Sequence, residues 1–298
     1  MAIYNFGSIN IDHVYLVPHF VAPGETLSST DYHSVLGGKG ANQSIACALA
    51  GADVKHIGAV HSSDSAYITS IRAAGVDCQY INEQTAVASG HAIIQVSESG
   101  ENAIVLFTGA NHTLQASDIN KVIEQANSDD WVLLQNETNA IESIIEIAAR
   151  KGLKIAFNPA PMTPEVAQLP LEKVELLIVN EIEAMQLSIT NSVEQAYKAL
   201  HDKYPNTKIL MTLGKAGVKY IHGDKHIDMP GFSVEAVDTT AAGDTFTGYF
   251  LANYLDQQNP EHALKSACAA AAISVTRSGA APSIPHKDEV DAFLQQAK

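Results

Sequence analysis

Cationic side chains are scarce in this 298-residue chain: 18 lysines and arginines stand against 33 aspartates and glutamates, a formal charge of −15. That balance excludes nucleic acid and acidic membrane surfaces as expected partners. It also means that an anionic ligand would have to be held locally, by backbone dipoles and metal ions. Cysteine is nearly as rare. Cys47, Cys78 and Cys268 cannot all pair and show no metal-ligand spacing, so they are expected as reduced core thiols of a cytoplasmic protein. No uninterrupted apolar run reaches about eighteen residues, which argues against a membrane span. Met1-Ala2-Ile3-Tyr4-Asn5-Phe6 has neither the basic start nor the apolar core of an export signal. Low-complexity tracts, short-period repeats and long Pro/Gly linkers are missing as well. What remains is 46% hydrophobic and 17% charged, the profile of a well-buried globule with one large α/β domain or two ordinary ones.

The hydrophobic pattern supplies the order of elements. Residues 3–9 read as a strand, and the turn-rich stretch from Pro18 to Ser34 follows. Ala41–Ala50 reads as a helix of small residues and His56–Val60 as a short strand. Residues 91–97 and 103–108 flank Ser99-Gly100 and predict a β-hairpin. Beyond them strands at Trp131–Gln135, Lys154–Phe157, Leu176–Val179 and Lys208–Thr212 alternate with helices at Ile141–Arg150 and Val193–Tyr204. Helices at about 244–257 and 261–277, and one after Pro285, complete the chain. Strand–helix–strand repetition predicts a mostly parallel sheet with helices on both faces. The insertions at 13–35 and 87–107 break the alternation and are expected to form a small sheet together. The main body would then comprise residues 1–12, 36–86 and 108–298.

Val237-Asp238-Thr239-Thr240-Ala241-Ala242-Gly243-Asp244-Thr245-Phe246 is the most informative segment. Its small residues expose backbone N–H groups where a helix begins, and Phe246, Phe250, Leu251, Tyr254 and Leu255 continue at helical spacing. An aspartate there can simply cap the helix. Two carboxylates, Asp238 and Asp244, flanking one small-residue turn point instead to a site where charge develops beside a proton acceptor. Other polar clusters fall where strands end, the usual ligand position in open α/β sheets. Asn10 and Asp12 would face the same way and suit adjacent hydroxyls, or serve as turn residues. Gly37-Gly38-Lys39-Gly40-Ala41-Asn42 allows close backbone approach but lacks Walker spacing. Glu137 follows one strand. Asn180 and Glu183 follow another, either as a helix cap or as organisers of Mg²⁺-bound water. Thr212-Leu213-Gly214-Lys215-Ala216-Gly217 suits phosphate oxygens, or a tight turn before a hairpin over Val218–Tyr220 and Ile227–Met229. A Rossmann dehydrogenase is excluded by the missing Gly-x-Gly-x-x-Gly after the first strand.

Taken together, these segments closely resemble the ribokinase/PfkB family of carbohydrate kinases. Gly37–Asn42 and Asp238–Phe246 match its two signatures. Gly7-Ser8-Ile9-Asn10-x-Asp12, Pro23-Gly24-Glu25-Thr26, Asn158-Pro159-Ala160-Pro161 and Val275-Thr276-Arg277-x-Gly279-Ala280 match in order, across essentially the whole chain. His61-Ser62-Ser63-Asp64 replaces the usual Gly-Asp pair after the second strand.

The resemblance implies a three-layer α/β/α domain with a β lid, and ATP-dependent phosphorylation of D-ribose at O5. It also implies that Asn10, Asp12, Gly38, Lys39, Asn42 and Glu137 hold the sugar, and that Asp244 is the general base. Ala241, Ala242, Gly243 and Asp244 would form the anion hole. Asn180, Thr212, Gly214, Lys215, Gly217, Gly243 and Cys268 would contact ATP, with Glu183 acting on Mg²⁺ through water. Asp238, Thr240, Ser274, Arg277, Gly279 and Ser283 would surround K⁺, mostly through carbonyls. Homodimerisation through the lid is implied as well. The same framework serves kinases of deoxyribose, fructose, tagatose and nucleosides. A non-catalytic sugar-binding protein is the alternative from another class, disfavoured by the presence of Asp244 and Gly243.

Overall fold

The computed structural model of the chain describes residues 1–297. Thirteen strands are found among them: β1 (Ala2–Phe6), β2 (Asn10–Val17), β3 (Asp31–Gly37), β4 (Asp53–His61), β5 (Asp77–Gln84), β6 (Gly90–Ser97), β7 (Asn102–Phe107), β8 (Trp131–Gln135), β9 (Lys154–Asn158), β10 (Leu176–Asn180), β11 (Lys208–Thr212), β12 (Val218–His222) and β13 (Lys225–Met229). The α-helices among the described residues are α1 (Lys39–Leu49), α2 (Ser65–Ala73), α3 (Ala116–Gln125), α4 (Ile141–Lys151), α5 (Glu181–Ser188), α6 (Val193–Lys203), α7 (Ala242–Gln257), α8 (Pro260–Ser274) and α9 (Lys287–Gln296).

Nine strands form one sheet in the order β13-β12-β11-β10-β9-β8-β1-β4-β5. Every pairing is parallel except β11 with β12 and β12 with β13, so the expected mostly parallel sheet is present. The two-residue period of the strands builds a core on each face. Ile3, Trp131, Leu133, Leu176, Ile178 and Leu210 pack with α1, α7 and α8. Tyr4, Phe6, Val132, Leu134, Leu177 and Ile209 pack on the other side with α3, α4, α5 and α6. Helices on both faces give three layers, the α/β/α arrangement that the resemblance implies. No helix among the described residues is long and apolar enough to cross a membrane. All three cysteines are buried and unpaired.

The remaining four strands form a separate sheet, ordered β3-β2-β6-β7. The expected hairpin is its β6–β7 pair, with His91 opposite Phe107. Strands β2 and β3 reach Asn10 and Gly37, beyond the expected 13–35 insertion, so Asn10 and Asp12 stand at the root of this small sheet. The first strand accordingly ends at Phe6 rather than at residue 9. A Cβ on Gly7 would lie 2.6 Å from Gly40 Cα, so glycine is what lets α1 approach the chain just after β1. Ile104, Val105, Leu106 and Phe107 leave the small sheet with exposed apolar side chains.

Three elements, α2, β5 and α3, go beyond the sequence expectation. Helix α2 buries only Ile68 and Ile71. Strand β5 closes the sheet edge with a largely polar sequence, Asp77-Cys78-Gln79-Tyr80-Ile81-Asn82-Glu83-Gln84. Helix α3 carries its apolar face on Ile119, Val122 and Ile123 alone.

Candidate active site

The site is assembled where α1 and α7 begin. Ala241 adopts a left-handed conformation (φ 59°) before α7, and no side chain caps that helix. Asp244 therefore does not act as a cap, the simpler reading of an aspartate in this turn. Its buried carboxylate is turned to α1 instead, where Asn42 Nδ2 donates to Oδ2 at 3.1 Å and Gln43 Nε2 donates to Oδ1 at 2.9 Å. The Ala242 N–H donates to Thr239 O at a long 3.3 Å, whereas no acceptor is found among the described residues for the N–H groups of Ala241, Gly243 and Asp244. Such unpaired N–H groups at the positive end of a helix suit an anion.

Helix α1 starts equally close to the link from β1 into β2. Gly38 has φ 91°, and a Cβ there would meet Asn10 N at 2.8 Å. Glu137, just beyond β8, accepts from the Lys39 N–H at 3.0 Å and from the Ser8 hydroxyl. Burial raises the Glu137 pKa despite the nearby Lys39 ammonium. The Lys39 ammonium is raised too, first by the charge of Asp244 and further by Glu137 and Glu183, against the cost of burial. One cation thus faces three carboxylates. Asp12 lies over Gly37, where a Cβ would come within 2.0 Å of its carboxylate. Burial, reinforced by Glu137, pushes the Asp12 pKa up to about 6. Asn10 is oriented by Asn111, whose Nδ2 donates to Asn10 Oδ1 at 2.7 Å while its Oδ1 accepts from the Ile9 N–H. The Asn10 amide nitrogen is left for another partner. Asn42 Oδ1 is buried without a hydrogen-bond partner among the described residues.

Two cavities meet at the α7 N-terminus, sharing Thr212, Thr239, Ala242 and Gly243. The smaller, about 250 Å³, is lined by Lys39, Asn158, Asn180, Glu183 and Asp244. Asn180 and Glu183 do form a capping box on α5: Asn180 Oδ1 accepts from the Glu183 N–H at 2.8 Å, and Glu183 Oε2 from the Asn180 N–H at 2.9 Å. Burial nevertheless raises the Glu183 pKa. The larger cavity, about 440 Å³, is lined by Gly214, Lys215, Gly217, Phe232 and Cys268. Gly217 (φ 105°) is needed there, because a Cβ would meet Met229 O at 2.0 Å.

Behind the turn, Asp238 ties two loops together. Its Oδ1 accepts from the Thr240 N–H and its Oδ2 from the Gly279 N–H, both at 2.9 Å. These bonds hold its pKa below the usual carboxylate range despite partial burial. Val275 O accepts from the N–H groups of Val237 and Asp238, and Ser274 O from that of Arg277. The Arg277 guanidinium pairs with Glu289 on α9, and the Ser283 hydroxyl donates to Ala280 O.

A family model described as pfkB family carbohydrate kinase matches residues 3–287. The chain belongs to this family. It is 40% identical to a ribokinase of Haemophilus influenzae over 98% of its own length and 97% of that protein. A deoxyribokinase of Salmonella typhi is 30% identical over 99% of both chains. Among solved structures, Arabidopsis thaliana ribokinase complexed with ribose and ATP superposes with a TM-score of 0.87 at 28% identity, covering 99% of this chain and 98% of that one.

Against this family background the expected residues fall into three groups. Asn10, Asp12, Gly38, Lys39, Asn42, Glu137 and Asp244 converge through the contacts above. Asn180, Glu183, Thr212, Gly214, Lys215, Gly217, Gly243 and Cys268 line the paired cavities. Asp238, Thr240, Ser274, Arg277 and Gly279 are linked around one backbone crossing, and Ser283 sits buried one short turn away. Sequence reading missed Ser8, Gln43, Asn111 and Asn158 as parts of the site. Ser8 and Asn158 lie inside quoted motifs and Gln43 directly follows one, so their position was visible. Asn111 carried no local signal, because only the fold brings residues 9, 10 and 111 together.

Proposed function

We propose that this chain is an ATP-dependent ribokinase that transfers the γ-phosphoryl group to O5 of D-ribose. The observation that carries the reading is the Asp244 carboxylate, held by the Asn42 amide in the same first turn of α7 whose N–H groups at Ala241, Gly243 and Asp244 find no acceptor among the described residues. The ribokinase relatives supply the substrate pair.

Asn10, Asp12, Gly38, Lys39, Asn42 and Glu137 would hold the sugar. Asp12 and Glu137 accept from hydroxyls, while the free Asn10 amide nitrogen donates. Unpaired Asn42 Oδ1 is a ready acceptor for one more hydroxyl. Asp244 takes the O5 proton as the O5–Pγ bond forms and the bond from Pγ to the departing ADP oxygen breaks. The N–H groups of Ala241, Gly243 and Asp244, with the Lys39 ammonium, stabilise the charge spread over the transferring group. Thr212, Gly214, Lys215 and Gly217 cradle the nucleotide, and Cys268 forms part of the apolar wall.

For Mg²⁺ the donor chemistry fits. Glu183 keeps Oε1 free of the capping box, beside Asn180 and Thr212 in the smaller cavity. Bound there through water, Mg²⁺ would neutralise phosphate charge. K⁺ is suited by the oxygen-rich crossing of Asp238, Thr240, Ser274, Arg277, Gly279 and Ser283. The Asp238 carboxylate is engaged with two N–H groups there, which leaves carbonyls as the main donors. The small sheet would serve as a lid that excludes water. Its exposed row of Ile104, Val105, Leu106 and Phe107 supports a homodimer through that lid, in a cytoplasmic enzyme. Deoxyribose is the second substrate reading, favoured by the deoxyribokinase relative.

The test is Asp244→Asn, assayed with ribose and ATP and titrated with ribose by calorimetry. The expected result is loss of turnover by several orders of magnitude with ribose affinity within about tenfold of the parent. A variant near the parental rate would remove Asp244 as the base.

A further inference from the structure

Gln43 neighbours a sugar-binding residue in sequence, yet it is fully buried and lines neither cavity, so it does not reach substrate. We propose that Gln43 is a positioning residue, which fixes the Asp244 carboxylate for proton transfer and is itself locked by a chain of buried amides running through the sheet. The inference rests on the reading of Asp244 as general base.

The orientation of every amide in the chain follows from its anchors, because a backbone carbonyl can only accept. At one end Ile178 O faces Asn158 Nδ2 at 2.9 Å, so Asn158 Oδ1 is the atom turned to Gln43, 3.1 Å from its Nε2. At the other end Gly40 O faces Asn5 Nδ2 at 2.8 Å, so Asn5 Oδ1 is turned to Gln135. Gln135 Nε2 donates to Asn5 Oδ1 at 3.0 Å and to Gln43 Oε1 at 2.8 Å. With its oxygen bound by Gln135 and one hydrogen taken by Asn158, Gln43 has one hydrogen left, and that hydrogen meets Asp244 Oδ1. A reversed Gln43 amide would set its oxygen against the oxygens of Asn158 and Asp244, and its NH2 group against that of Gln135.

The anchoring continues into the fold. Asn5 Nδ2 also donates to Ser44 Oγ, which bonds His56 Nδ1, and His56 Nε2 donates to Gly7 O. Burial lowers the His56 pKa to about 4, so the ring stays neutral with its proton on Nε2. Asn5, Gln43, Gln135 and His56 are all fully or almost fully buried. Packing alone would be served by apolar residues there, whereas polar groups cost stability unless each finds a partner. Each of the four instead bonds at least one other polar group of the network, while Gln135 Oε1 has no partner among the described residues.

The experiment compares Gln43→Met, Gln135→Met and the double variant with Asp244→Asn. Melting temperature, kcat, the KM values for ribose and ATP, and ribose affinity are measured for each. Gln43→Met keeps the length of the side chain without a donor. Its kcat is expected to fall by about tenfold to a hundredfold, with both KM values within about threefold of the parent. Gln135→Met, which touches neither Asp244 nor the cavities, should lower kcat by several-fold. The double variant should fall no further than Gln43→Met, because both act through one amide. If Asp244→Asn abolishes turnover while folded Gln43→Met keeps kcat within about twofold, the positioning role is overturned. Additive losses, or losses confined to melting temperature and KM, overturn it as well. Should Gln43→Met fail to fold, kcat of Gln135→Met decides by the same criterion. An active Asp244→Asn would instead remove the base assignment on which the inference stands.

Discussion

Asn42 and Asp244 stand 202 positions apart in the chain, yet Asn42 Nδ2 donates to Asp244 Oδ2 at 3.1 Å. Each occupies the first turn of its helix, so the distance between the two residues is set by how α1 and α7 pack. That packing is unusually close. Gly248, one turn beyond Asp244, lies against the backbone of Cys47 and the side chain of Ala46.

Gly248→Ala tests this coupling. The added Cβ would lie 2.4 Å from Ala46 Cβ and 2.7 Å from Cys47 N, so the helices must separate. A stability loss of about 1–3 kcal/mol is expected in thermal melts, with kcat/KM for ribose lowered as Asp244 moves off the Asn42 amide. Unchanged melting and turnover would show that the contact yields without cost.

Asp12→Asn separates stability from binding. The Asp12 pKa is raised from 3.8 to about 6 in the folded chain. The neutral form is therefore favoured by folding, with the benefit complete below about pH 4 and lost as pH rises through about 6. Two units correspond to about 3 kcal/mol. The Asn variant should melt higher than the parent near neutral pH, and this gap should close on acidification to about pH 4. Its KM for ribose should rise, since an ionised acceptor is lost. A variant that melts lower near neutral pH would contradict the burial argument.

Asn111→Asp keeps an acceptor for the Ile9 N–H but loses the donor to Asn10 Oδ1. The Asn10 amide is then free to turn, and ribose KM should rise by about tenfold, the worth of one well-formed hydrogen bond, with ATP KM little changed. An unchanged ribose KM in the folded variant would dissociate Asn111 from sugar binding.

Asp238→Ala releases the N–H groups of Thr240 and Gly279 together. The parent is expected to turn over faster in K⁺ than in tetramethylammonium, and the variant to lose that difference along with much of its rate. Equal parental rates in the two salts would remove the cation site.

Much of this architecture was legible because buried parallel strands are continuous apolar runs. Trp131–Gln135, Lys154–Asn158, Leu176–Asn180 and Lys208–Thr212 lie within a residue of where the pattern puts them. The glycine-rich starts of α1 and α7 were legible for another reason, since close backbone approach demands small residues at fixed spacing. Elements with thin apolar faces, such as α2 and β5, were not. Nor was the amide chain from Asn5 through Gln135 to Gln43, because each member is one ordinary polar residue in an apolar strand or small-residue helix. Its meaning arises only when β1, β8 and α1 are side by side. Asp244 illustrates the same limit. The sequence allowed both a helix cap and a base, and the α1 contact removes the cap reading.

The most direct measurement is kcat/KM with ATP across ribose, deoxyribose, fructose, tagatose and nucleosides, with the product's phosphate position read by phosphorus–proton NMR. Ribose should give the highest value, with phosphate on O5. A higher value for any other acceptor, or phosphate at another ribose oxygen, would contradict the account.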